Sequence, residues 1–92
     1  MCDCVTQRPM ELKDIINMMT SEDYKERFKA EYYQVKIRFC KLAEMLDKWD
    51  EGTLEFKPTC PKWMYQDQLV IMSDYLEILE EKAKLENIEI DY

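Results

Sequence analysis

The chain has one glycine, three prolines and no histidine in 92 residues. So few turn-formers argue against a sheet with many tight turns and in favour of long, uninterrupted helices. A single glycine also rules out a glycine-rich phosphate loop. Without imidazole, general acid–base work would fall to carboxylates, lysines or tyrosines. The Glu-x-x-His pattern of a di-metal carboxylate bundle is missing for the same reason. No run of 18 apolar residues occurs, so no membrane span is expected, and residues 1–10 lack an apolar core of signal-peptide length. The expectation is an intracellular chain with reduced cysteines.

The four cysteines do not change that picture. Cys2 and Cys4 stand too close for the usual zinc-knuckle spacing, and Cys40 falls inside a helical stretch. Neither a metal site nor a cofactor is expected. The net charge of −7 and the pI near 4.6 disfavour a protein that coats a DNA or RNA polymer by neutralising phosphates. A local basic pocket for a small anion stays compatible with that balance.

The strongest pattern lies in residues 28–49. Phe28, Tyr32, Val35, Phe39, Leu42, Leu46 and Trp49 follow steps of 4 and 3 with no glycine or proline between them. This 3.5-residue repeat predicts an amphipathic helix that must bury its stripe against another helix. A flanking row, Ala30, Tyr33, Ile37 and Cys40, widens the apolar face. The helix is expected over residues 21–49, opened by the Thr20-Ser21-Glu22-Asp23 cap signal and closed at Gly52, which takes a left-handed cap without steric cost. A second helix is expected over residues 61–86, with Pro61 at its first position. Its seam is Tyr65, Leu69, Met72, Leu76, Leu79 and Ala83. Beside that seam run Ile71, Tyr75, Ile78 and Leu85, broken by Lys82.

The fold class is therefore all-α: an antiparallel two-helix hairpin over residues 21–86. A leader at residues 1–20 contains one short helix near residues 10–19, and a tail occupies residues 87–92. In the connector, Leu54 and Phe56 are expected to cover the open end of the hairpin. The tail suits an added strand, a partner contact or fraying. A single hairpin buries one seam per helix and leaves both flanking rows exposed, which predicts a homo-oligomer.

Seven of the thirteen lysines and arginines fall on the first long helix despite the acidic whole. There they interleave with aromatics: Tyr24, Lys25, Lys29, Tyr32, Tyr33 and Lys36. Aromatic faces stack on bases and cations pair with phosphates, so these six are candidate residues for binding a small nucleotide. The plainer reading places Tyr32 in the core and the lysines in solvent, paired with glutamates.

Residues 24–46, together with Lys62-Trp63, Asp67-Gln68-Leu69 and residues 72–81, resemble small α-hairpin proteins of crAss-like and other tailed phages. Over roughly residues 20–86 the hairpin is also similar to the phage anti-CBASS and anti-Thoeris sponges. Those proteins are helical homo-oligomers, often hexamers, that sequester cyclic-nucleotide immune signals without degrading them. The resemblance implies a non-enzymatic protein acting in the cytoplasm of an infected bacterial host, with Tyr24 stacking on a base and Lys36 approaching phosphate. Lys62-Trp63 is similar to a basic–Trp pair in some sponges. Lys25, Gln68 and Leu69 depart from the pattern. The competing expectation is an oligomeric adaptor that binds a partner helix through its exposed apolar rows.

Overall fold

In a computed structural model that describes residues 11–90, every regular element among the described residues is helical. A 3-10 turn at Leu12–Ile15 leads into α1 (Ile16–Met19), followed by α2 (Tyr24–Glu51) and α3 (Lys62–Glu86). The leader at residues 1–10 and the last two residues of the tail lie outside the described residues.

The ends of α2 follow local chemistry. Asp23 is its N-cap, accepting from the Lys25 backbone N–H at 3.0 Å. Ser21 Oγ in turn accepts from the Asp23 N–H at 3.0 Å. The Ser and Asp of the start signal thus bond in series, and the helix begins at Tyr24 rather than at residue 21. At the other end Gly52 has φ +75°, and the Thr53 N–H reaches the Lys48 carbonyl at 2.9 Å, closing the helix with a Schellman-type turn. Pro61 is the N-cap of α3, one position before the first helical residue. Asn87 closes α3 in the left-handed region at φ 56°, and the Ile88 N–H bonds to the Ala83 carbonyl at 2.9 Å. This turn folds Ile88 onto the core and brings Ile90 against it, so the start of the tail is packed rather than frayed.

α2 and α3 contact each other in opposite chain order. Trp49 stacks edge-on against Tyr65 at 5.9 Å, Tyr32 Oη donates to Glu80 at 2.7 Å, and Lys82 Nζ sits 5.8 Å above the Phe28 ring. Ion pairing of Lys62 with Asp50 and a hydrogen bond from Tyr75 to Glu31 extend the series. Phe28, Tyr32, Val35 and Phe39 of α2 bury against Leu76, Leu79 and Ala83 of α3, as the two seams require.

The flanking rows behave differently from one another. Ala30, Tyr33, Ile37 and Cys40 are all buried, which corrects the expectation of an exposed row on α2. The N-terminal segment packs on α2 and not on α3, and it sends a fully buried Ile15 into the same core. The short helix expected before residue 20 is present as a 3-10 turn plus one α turn. Each is too short to persist undocked. On α3 the flanking row does stay exposed. Cys60 is an exposed free thiol, whereas Cys40 is buried and is not free, so the expectation of reduced cysteines is corrected at Cys40.

Candidate ligand-binding site

Among the described residues, the six expected to bind a nucleotide fall on different parts of α2, three near its start and three in the interior. Tyr24, the first residue of α2, is 49% exposed, with its ring 6.4 Å from Phe28. A hydrogen bond to the Glu86 carboxylate raises its phenol pKa above the usual value. Burial and the charges of Glu86 and Glu31 add to that rise, and Arg27 opposes it. Lys25 is exposed and Lys29 half-buried. Tyr32, Tyr33 and Lys36 lie in the interior, where the two tyrosine rings meet edge-on at 6.1 Å. At the Tyr32 end, a depression of about 260 Å³ is lined by Tyr32, Glu80, Lys84, Ile88 and Ile90. Its one carboxylate offsets its one lysine.

A larger groove of about 590 Å³ opens at the other end of the molecule, where α2 hands over to α3. Trp49 from the last turn of α2, Leu54, Phe56, Lys57 and Cys60 from the connector, and Lys62 from the first turn of α3 line it. The left-handed turn at Gly52 sends the connector back across the helix end, and Pro58 and Pro61 restrict its backbone. Trp49 is held from behind by Tyr65, while Lys62 Nζ lies 5.5 Å over the indole and pairs with Asp50. Phe56 is 58% exposed, so the expectation that it caps the hairpin end is corrected, and of the two expected caps only Leu54 is half-buried. The first turn of α3 contains no acidic residue, and its N-cap Pro61 offers no side-chain acceptor. The acidic group at this end of α3 comes instead from α2, as the Asp50 carboxylate paired with Lys62.

Two aromatic walls, the Lys57 ammonium and the Lys62–Asp50 pair around a groove of this size suit a ligand that is planar and carries negative charge. Sequence reasoning missed the site because Trp49 completes the α2 seam and Phe56 looks like a cap. The available signal was two lysines, Lys57 and Lys62, spaced among aromatics across a connector that carries two prolines. Among the described residues no group of three or more acidic or cysteine side chains is placed to hold a metal ion, and no helix is long and apolar enough to cross a membrane.

No curated protein and no solved structure matches the chain. A family model described as Sequestin matches residues 22–85. The match takes in all of α2, the connector with its groove, and α3 to within one residue of its end, but not the docked N-terminal segment. The matched part is thus the pair of long helices and the groove they share, and the chain belongs to the Sequestin family.

Proposed function

We propose that the protein captures a small nucleotide signal, cyclic or adenine-containing, and holds it without cleaving it. In an infected bacterial cell it would act by stoichiometry, as a homo-oligomer that lowers the free signal below the threshold of its effector. The observation that carries this reading is the convergence of Trp49, Phe56, Lys57 and Lys62 on one groove of about 590 Å³. An indole and a phenyl ring supply stacking surfaces for a base, and the Lys57 ammonium supplies charge for phosphate, while Lys62 is shared with Asp50. Membership of a family named for sequestration supports capture as the mode of action. The surface at the start of α2, with Tyr24, Lys25 and Lys29, is the second seat for such a ligand. The carboxylates of Glu86 and Glu31 border it and weaken its pull on an anion.

Thermal unfolding against a panel of cyclic di- and trinucleotides and adenosine–ribose compounds tests the proposal. A ligand at 100 times its Kd adds about 2.7 kcal/mol to native stability, which raises the midpoint by on the order of ten degrees for a domain of this size. The ligand should be recovered chemically intact after denaturation. Lys57→Glu should weaken binding at least tenfold, while Lys25→Glu with Lys29→Glu should leave it near the wild-type value. The reverse pattern would move the site to the start of α2. No shift with any ligand would overturn nucleotide capture.

A further inference from the structure

The exposed face of α3 is patterned as strictly as its buried seam. Met64, Ile71, Tyr75, Ile78 and Leu85 are between 39% and 84% exposed. With Gln68 and Lys82 in the two remaining places, they form a row at steps of 4, 3, 4, 3, 4 and 3. At 100° per residue the row lies roughly a third of a turn from Leu76, Leu79 and Ala83. It spans about 32 Å at 1.5 Å per residue. The described N-terminal segment packs on α2, and Ile88 folds into the core, so Met64, Ile71, Ile78 and Leu85 stay open, while Tyr75 and Lys82 reach back to Glu31 and Phe28 of α2. An apolar stripe of this length, interrupted only by Gln68 and Lys82, exceeds what soluble monomers ordinarily present to water.

Four of the row's seven positions also map onto one another when the row is reversed. Reflected about a point between Asp74 and Tyr75, Met64 falls opposite Leu85 and Ile71 opposite Ile78. The same reflection puts Asp67, which flanks the row, opposite Lys82 within it, a pair of opposite charge. Neither makes an ion pair among the described residues. A parallel alignment would instead bring Lys82 of the row against Lys82 of the other copy, which is repulsive. The two apolar pairs and the Asp67–Lys82 pair are therefore self-complementary in the antiparallel sense, as a two-fold interface of antiparallel helices requires.

We infer that α3 pairs antiparallel with the α3 of a second copy of this chain along this face, about a two-fold axis beside Tyr75. This rests on the homo-oligomeric part of the proposed function and supplies its interface. The same register sets the partner's α3 C-terminus beside Pro61 and Lys62, at the rim of the aromatic groove. Each site is then bordered by both copies.

Sedimentation velocity over a range of protein concentrations reads the result. The wild type should sediment as a dimer or an even-numbered assembly. Ile71→Glu with Ile78→Glu should halve the number of copies while leaving the helical circular dichroism unchanged. Asp67→Lys alone, or Lys82→Asp alone, should weaken association about tenfold by creating two like-charge contacts, and the double reversal should restore it. These charge variants alter only exposed positions, so they also serve if the glutamate pair misfolds. A wild type that is monomeric at every concentration would overturn the homo-oligomer itself and favour a different partner on this face. An oligomer indifferent to the glutamates would overturn this interface alone. An oligomer that dissociates with the glutamates but ignores single charge reversals would overturn the antiparallel register. Nucleotide binding by such variants reports on capture separately.

Discussion

α2 and α3 are close to the same helix in sequence terms, since each carries a 3.5-residue apolar seam with a second apolar row beside it. Their surroundings separate them. α2 is covered on two sides, by α3 along one row and by the N-terminal segment along the other, and eleven of its residues are buried. α3 is covered on one side and buries only Leu76, Leu79 and Ala83. The difference does not come from hydrophobicity, because Ile71 and Ile78 are as apolar as Ile37, which is fully buried. It comes from where residues 12–19 dock. An apolar row becomes core when something covers it and stays exposed where no described residue does.

The sharpest break in this comparison is a pair of truncations. Phe39→Ala removes a ring that is 2% exposed, and should cost about 3–5 kcal/mol in urea unfolding. Ile71→Ala in dilute protein should stay within about 0.5 kcal/mol. Equal costs would mean that the exposed row of α3 is packed within a single chain. Ile15→Ala comes next, at roughly 2–5 kcal/mol, because this side chain is the deepest anchor of the segment that covers α2. A negligible cost would show that the N-terminal segment is not part of the folded unit.

The two helix junctions give smaller effects. Gly52→Ala meets no atom within 4 Å of the added Cβ, so its cost is backbone strain alone, about 1–2 kcal/mol. A larger loss would mean that the groove end packs more tightly than this geometry allows. Tyr32→Phe removes the bond to Glu80 and should cost about 1 kcal/mol by the same measurement.

The smallest effect is on pH dependence. Hydrogen bonds to Glu86 and Glu31 hold the pKa values of Tyr24 and Tyr75 above the ordinary phenol value, so α3 is clamped to α2 while both phenols are protonated. A folded-state pKa raised in this way contributes stability below the unfolded value of about 10 and loses it as pH rises through the folded value. The unfolding midpoint should therefore fall above about pH 10, and less steeply in Tyr24→Phe and Tyr75→Phe. The lysines titrate in the same range, so the comparison with these variants isolates the phenols.

Much of the architecture is legible in the residues. The seams, the left-handed closure at Gly52 and the opening at Pro61 all follow from local rules that act within a turn or two. Where expectation and structure part, a longer-range contact is responsible. Tyr33 and Lys36 look like solvent-facing ligand residues on a two-helix hairpin but sit in the interior of the folded chain. Phe56 looks like a cap and instead walls a groove. Ile88 and Ile90 suggest a strand, yet the Asn87 turn drops Ile88 into the core.

The sequence by itself determined the helical class, the extent of α2 and α3, and the apolar rows available for burial, because periodicity, capping and backbone preference are local properties. Only the tertiary structure decided which rows are covered and where aromatic and basic side chains meet. Docking of residues 12–19 on α2 sets the first. Reversal of the chain at Gly52 sets the second, bringing Trp49, Phe56, Lys57 and Lys62 around one groove. Both depend on contacts between segments whose proximity no local pattern encodes.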